Sequence, residues 1–300
     1  MNKPLKEGIH FDVPRSRYEA DPGINQSALK AFLYAPTPAH FRYEEEHAEP
    51  DPDYIRIGNA IDCLVSSPSD FNQLFAVTPE NYPCEPTAKD PRREKPWTLQ
   101  SNWCKDWWKQ AVAAGKTPLT IAERDRVRGM VDGLERHEDI PRILSTAHRQ
   151  VCIIAVHPTL GYRMKALLDV LPDVHSEWIY DLKSFGQPAT PRLWFDHVGK
   201  MGYHIQAAYY LEIARLAGIP ATKFGWPVVE SQPPHEPAVY WLEEGDEEIE
   251  AARKFYTEAM PQFVACRTAD DWPGHSRDWI KVKLKPWQLR NEGPDYERLT

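Results

Sequence analysis

Between His148 and Tyr210 the chain passes from strand-like to helical composition, with acidic residues at the strand ends, and this stretch constrains the fold more than any other. His148–Val156 (HRQVCIIAV) is apolar and β-branched, and His157-Pro158-Thr159-Leu160-Gly161 closes it as a turn. Residues 162–170 (YRMKALLDV) form a second strand with Asp169 near its end, and Leu171-Pro172-Asp173 breaks it. Residues 177–184 (EWIYDLKS) form a third. Side chains two apart in a strand point the same way, which sets Ile179, Asp181 and Lys183 on one face and Trp178, Tyr180 and Leu182 on the other. Residues 191–217 then read as mainly helical, with Tyr203, Gln206 and Tyr210 on one face at one-turn spacing.

An antiparallel hairpin over this stretch would bring Asp169 beside Asp181. Two carboxylates brought together repel unless a cation lies between them, and oxygen ligands of that kind suit Mg²⁺ or Mn²⁺. A lysine next to that cation orients an attacking water or neutralises charge developing on a phosphate. Asp, a gap of eleven residues, then Asp-X-Lys is therefore a pattern for metal-dependent phosphodiester cleavage. The bland alternative is a set of solvated turn acids.

Asp169, then Asp181-Leu182-Lys183, then Tyr203-His204-Ile205-Gln206 with Tyr210 resembles the PD-(D/E)XK nuclease core with the Gln-xxx-Tyr helix of its RecB-like branch. The pattern is most similar to the RecE type (exonuclease VIII-like) of phage and prophage exodeoxyribonucleases. The resemblance extends upstream to Pro22-Gly23-Ile24-Asn25-Gln26-Ser27-Ala28-Leu29 and Gly58-Asn59-Ala60-Ile61-Asp62-Cys63-Leu64-Val65. Downstream it reaches Asp271-Trp272-Pro273 and Leu284-Lys285-Pro286-Trp287.

The resemblance implies an α/β fold with a mixed central sheet in the αβββαβ order and an N-terminal helical elaboration. A single domain over residues 1–300 is expected: elaboration at 1–145 including the Asp62 helix, core at 146–270, tail at 271–300. It implies a Mg²⁺-dependent 5′→3′ exonuclease on double-stranded DNA ends, with Mn²⁺ as a substitute. Asp169, Asp181, Lys183 and Gln206 would be catalytic, and Asp62, Asp169, Asp181 and Gln150 would hold the metal. Tyr203 and Tyr210, with Arg92, Arg93 and Lys95, would meet DNA. A ring-like homo-oligomer passing single strands to an annealing recombinase, in phage-type recombination in a bacterial host's cytoplasm, is implied as well.

Two positions depart from the family pattern. Asp62 stands where a His is usual, and Gln150, counted back from Asp169 across the turn, stands where a Glu is usual. The changes offset in charge, so Asp62, Asp169 and Asp181 still contribute three carboxylates, and the reading is a re-partitioned active site. The rival readings are a nuclease-derived DNA-binding or inhibitor protein without catalysis, and a structural protein with acidic surface turns.

Composition agrees with a folded chain that can bury a core: 42% apolar and 27% charged over 300 residues. A net charge of −8 argues against broad adhesion to nucleic acid, which leaves local basic runs at residues 92–95 and 281–285. No apolar run reaches membrane-span length and no signal peptide opens the chain, so no membrane partner is expected. The five cysteines are scattered with no CxxC pair, and only Cys266 lies near the C-terminus. Neither zinc nor an iron–sulfur cluster is expected.

The remaining segments read as supports. Residues 1–24 form an extended arm, Asn25 caps a helix over 27–34, and a buried helix starts at 58. Residues 78–96 form a mobile loop near substrate. Trp103, Trp107 and Trp108 fall in a helix over 97–114, where core packing competes with base stacking. Thr120 with Glu123 opens a further helix by a capping box. Strands follow at 223–230 and 238–242, a helix at 246–265 and a short strand at 280–284.

Overall fold

The structure, a computed structural model, describes residues 3–47, 53–86, 91–145 and 147–289. Buried backbone amides need partners, and the apolar runs around residue 150 find them in one another. Ahead of them the chain forms β1 (Gly8–His10), α1 (Arg15–Glu19), α2 (Gln26–Tyr34), α3 (Pro38–Glu46), α4 (Asp53–Ser66), α5 (Phe71–Leu74) and β2 (Phe75–Val77). It continues through β3 (Asn81–Pro83), β4 (Glu94–Pro96), α6 (Asn102–Ala113), β5 (Thr117–Leu119), α7 (Ile121–Glu135) and α8 (Ile140–Ser145). The core follows as β6 (His148–Val156), β7 (Arg163–Leu171), β8 (Trp178–Tyr180), β9 (Lys183–Phe185), α9 (Pro191–Met201), α10 (Tyr203–Leu216), β10 (Lys223–Glu230), β11 (Pro237–Glu243) and α11 (Glu247–Ala269).

These strands make a seven-stranded mixed sheet ordered β1-β6-β7-β8-β10-β11, with β9 also on β10. β6 and β7 pair antiparallel from His148↔Leu171 to Val156↔Arg163, and β7 pairs antiparallel with β8. β10 is parallel to β8 and β9, which requires a crossover, and α9 with α10 supplies it. The order is αβββαβ, as the resemblance implied. The helix α10 is apolar nearly all round because it is covered on every side, by β6 and β7 beneath and by α2 and α11 above. A second core, with Ile61 of α4, Val127 and Met130 of α7 and Ile140 of α8, closes on Val229 of β10.

Several elements differ from expectation for visible reasons. The third strand is broken into β8 and β9, yet both keep one register on β10, from Trp178↔Lys223 to Lys183↔Val228. That register sets Pro227 opposite Leu182, and a proline has no N–H to give the ladder. The helical span 191–217 is two helices, divided by Gly202 at φ +66°. The segment 78–96 holds the antiparallel hairpin β3–β4 rather than only a loop. Gly58 lies inside α4, not at its start. No strand forms at 280–284; Ile280 and Val282 are exposed there. The capping box of Thr120 with Glu123 and the Asn25 cap, accepting from the Ala28 amide at 2.8 Å, are present.

The N-terminal arm is clasped to the sheet. Asp21, buried, accepts from Arg163 Nε at 2.8 Å and Nη2 at 2.7 Å, and from the amides of Leu5 and Gly23. Buried Lys165 donates to the carbonyls of Tyr18, Glu19 and Asp21, at the C-terminal end of α1. Burial alone would raise the Asp21 carboxyl, but the Arg163 hydrogen bonds and the two amides outweigh it and hold it at about 2. A carboxyl depressed on folding stabilises above its unfolded value of 3.8, and the contribution is lost as pH falls towards 2. Asp21→Ala should therefore cost about 3–5 kcal/mol by stranding the guanidinium, and it should flatten the loss of stability between those pH values. Denaturant melts of both proteins across that range check it; equal acid sensitivity would count against the clasp.

Candidate active site

The turn after β7 and the parallel pairing of β8 and β9 with β10 bring the predicted acids to one end of the sheet. Asp181 is 3% exposed. Its Oδ1 accepts from Gln206 Nε2 of α10 at 2.8 Å, and its Oδ2 is ion-paired with Lys183. Tyr203 lies beneath the lysine, with Lys183 Nζ 5.0 Å from its ring centre. Burial opposes the charge on Lys183, but Asp181 and Asp169 more than offset it and push its pKa above the ordinary lysine range. The lysine is an ammonium at neutral pH.

Asp169 is half-buried on β7. Burial first, then the carboxylates of Asp181 and Asp62, push its carboxyl well above the usual range, against opposing pulls from Lys183 and Arg149. Gln150 stands opposite it: Arg149 pairs with Val170 and Val151 with Leu168, so the register faces residue 150 with residue 169. The backbone of Gln150 takes φ +50°, a left-handed conformation inside a strand. Such a residue costs on the order of 1–3 kcal/mol and persists only where its surroundings hold it. Its Nε2 donates to Asp62 Oδ2 at 3.2 Å and to Asp169 Oδ1 at 3.4 Å. Asp62 reaches this point from α4 and is also ion-paired with Arg149, Nη2 to Oδ1 at 2.5 Å.

The structure thus gathers Asp62, Gln150, Asp169, Asp181, Lys183 and Gln206, but not as the expected four-ligand shell. Among the described residues no three His, Cys, Asp or Glu side chains converge closely enough to hold a metal ion. Asp62 is compensated by Arg149, and Gln150 offers its amide N–H where a ligand would offer oxygen. Asp169 and Asp181 still fit a divalent cation. They are oxygen donors, with the Asp181 carboxylate among the groups that raise the proton affinity of Asp169, and Mg²⁺ is commonly bound through one or two protein carboxylates with substrate phosphate completing the shell. Gln206 lies against Asp181, 5% exposed, with its amide donating to that carboxylate. Tyr210, expected at DNA, is buried with its hydroxyl on the Leu167 carbonyl at 3.2 Å. Arg92 and Arg93 are exposed and Lys95 is half-buried, all on or beside the separate β3–β4 ribbon.

Two residues were missed. Arg149, beside Gln150, has Nε and Nη1 buried with no hydrogen-bond partner among the described residues. Lys30 of α2 reaches the same Tyr203 ring as Lys183, at 5.9 Å. A charge within the apolar run of β6 was the available signal for Arg149. Nothing near Lys30 in sequence points to residue 203.

An αβββαβ sheet with Asp169 on its second strand and Asp-X-Lys on its third defines the PD-(D/E)XK class of nuclease folds. The chain belongs to the family described as a PDDEXK-like domain of unknown function (DUF3799), whose model matches residues 25–280. Among solved structures it is similar to an inferred exonuclease from Eubacterium rectale, with a TM-score of 0.58 and 16% identity over 94% of this chain and 100% of that one. A phage-related exonuclease from Haemophilus somnus 129PT matches at a TM-score of 0.32 and 10% identity, over 80% of this chain and 96% of that one. No curated protein matches the sequence.

The position of Gln150 generates a prediction. Gln150→Glu replaces an N–H donor between two acids by a third carboxylate. The metal-free protein should lose about 1–3 kcal/mol, and millimolar Mg²⁺ should restore more stability to the variant than to the wild type. Thermal melts in EDTA and in Mg²⁺ measure both; an equal deficit in the two buffers would show that Gln150 does not border the cation site.

Proposed function

We propose that the protein is a divalent-metal-dependent deoxyribonuclease, a 5′→3′ exonuclease of the RecE type acting on double-stranded DNA ends. The observation that carries this reading is the buried Asp181–Lys183 pair beside Asp169, on a chain of the PDDEXK-like family. Asp169 and Asp181 would hold Mg²⁺, with Mn²⁺ as a substitute, and the cation would supply Lewis-acid stabilisation of the charge that builds on the phosphate. Gln206 fixes the Asp181 carboxylate by its hydrogen bond. Lys183, being an ammonium, has no lone pair with which to take a proton. Its role is to donate to the phosphate or to orient the water that attacks phosphorus in line.

The wider reading follows the same resemblance: a ring-like homo-oligomer in a phage-infected or prophage-bearing bacterial cytoplasm, supplying single strands to an annealing recombinase. Among the described residues no helix is long and apolar enough to cross a membrane. The rival reading, a catalytically silent DNA-binding or inhibitor protein, draws on Gln150 and on the compensation of Asp62 by Arg149. Both leave Asp169, Asp181 and Lys183 themselves in place, with Gln150 touching Asp169 through one amide hydrogen bond.

A time course on end-labelled linear duplex, with Mg²⁺ and with EDTA, tests the reading. Linear DNA should be consumed only with Mg²⁺, a covalently closed circle should survive, and Asp181→Ala should lower the rate by on the order of a hundredfold or more. Nicking of the circle would mark an endonuclease, and undiminished activity of the pure variant would remove Asp181 from the site.

Lys183→Met separates binding from turnover. It should keep Mg²⁺ affinity within a few-fold by calorimetry while the rate at saturating metal falls by on the order of 10²–10³. A normal rate at saturating metal would show that the lysine only supports the carboxylates.

A further inference from the structure

Lys30 is a second cation close to the Asp181–Lys183 pair. It lies on α2, half-buried, and its ammonium stands 5.9 Å from the centre of the Tyr203 ring. Lys183 stands 5.0 Å from the centre of the same ring. Lys183 has Asp181 as its partner, whereas Lys30 has no hydrogen bond or ion pair among the described residues. Burial and the positive charge of Lys183 both push the Lys30 pKa down, with Asp181 pulling the other way. Lys30 also adds its charge to the groups that depress His204. Placing a second ammonium there without a carboxylate costs free energy, and that cost is recovered only if an anion arrives.

The position is built. A Cβ on Gly202 would stand 2.9 Å from Lys30 Cδ and 2.9 Å from the Tyr34 hydroxyl, and the backbone there has φ +66°. Glycine suits this left-handed turn, and its missing side chain leaves room for the Lys30 and Tyr34 side chains against the junction of α9 and α10. The arm that carries α2 is itself fixed to the sheet, through the Ile24 amide on the Arg163 carbonyl at 2.9 Å and the Tyr209 hydroxyl on the Ile24 carbonyl at 2.5 Å. The helix that carries Lys30 is therefore tied to the sheet at its start.

We propose that Lys30 is a DNA phosphate-binding residue, taking a backbone phosphate next to the one that Lys183 addresses at the Asp169–Asp181 site. This rests on the nuclease reading above and adds a contact to it. Lysine serves as a point charge for phosphate, without the fixed fork of arginine, so a charge-retaining substitution should preserve the contact in part.

The test is equilibrium binding of a labelled duplex with Ca²⁺ in place of Mg²⁺, titrated between about 50 and 200 mM salt. One lost phosphate contact lowers the slope of log K against log salt by about 1, which at 0.1 M salt corresponds to roughly eightfold weaker binding. Lys30→Met and Lys30→Gln should both show this change, and Lys30→Arg should keep the wild-type slope. Thermal midpoints near that of the wild type identify which neutral variants are folded, and either one suffices. An unchanged slope in a folded neutral variant overturns the inference, as does a Lys30→Arg slope as low as that of Lys30→Met. If the wild type cleaves DNA with Mg²⁺ while the slope does not move, only the role of Lys30 falls. If the wild type neither binds nor cleaves, the nuclease reading falls with it.

Discussion

A carboxylate that is 3% exposed must be answered on both oxygens, and the answer given to Asp181 organises the core around it. One oxygen takes the Gln206 amide at 2.8 Å, which fixes the rotation of α10 against the sheet. The other takes Lys183, two residues on, which requires β8 and β9 to continue in one direction so that both side chains stay on one face. The parallel run along β10 provides that continuity, with the same register on both sides of the break. Pro227 removes a ladder hydrogen bond opposite Leu182, so pairing lapses beside the acid while direction is kept. Tyr203, at the start of α10, then gives Lys183 an aromatic floor. A buried pair of this kind is weak evidence for stability, since an apolar pair would pack at least as well. Its presence points to chemistry.

The N-terminal arm extends this dependence across the molecule. Asp21, Arg163 and Lys165 tie residues 5–23 to β7, the strand that carries Asp169. Ile24 then bridges to Met164, and Asn25 starts α2 by capping it. The clasp thus determines where α2 begins, and the pitch of α2 determines where Lys30 points. A fault at Asp21 would reach the site through the placement of one helix, without any contact between the two.

Much of the core was legible because its signals are local. The runs at 148–156 and 163–171 are long and apolar, the capping box at Thr120 is complete in four residues, and Asp-X-Lys carries its own geometry through strand alternation. Gln150 was reached by counting across one turn, and the register agrees with the count. The misses are contacts between segments far apart in the chain. Arg149 meets Asp62 across 87 residues, and Lys30 meets the Tyr203 ring through the packing of α2 on a glycine. Tyr210 differs in another way. Its one-turn spacing from Gln206 was read correctly as a shared face, but that face is covered by β7, and the Leu167 carbonyl takes the hydroxyl. The tail failed for another reason. Residues 280–284 alternate as a strand should, yet Ile280, Val282 and Leu284 are all exposed and bury no face.

The contact between Arg149 and Asp62 also changes the charge argument at the site. Read from sequence, Asp62, Asp169 and Asp181 supply three negative charges, with Gln150 already placing occupancy by two cations in doubt. In the folded protein Arg149 answers Asp62 and Lys183 answers Asp181, leaving one net negative charge before any metal arrives. The Gln150 amide then stands between Asp62 and Asp169 with hydrogens facing both. A cation seated between Asp62 and Asp169 would have to displace the Gln150 amide and would meet the Arg149 guanidinium, whereas one seated between Asp169 and Asp181 borders the amide and shares Asp181 with Lys183. On the proposed reading this favours a single cation on the Asp169–Asp181 side. It also recasts the two departures from the family pattern: Asp62 and Gln150, with Arg149, form a hydrogen-bonded flank that holds Asp169 from behind. Three carboxylates are present, and on the proposed reading Asp169 and Asp181 are the two that hold the ion.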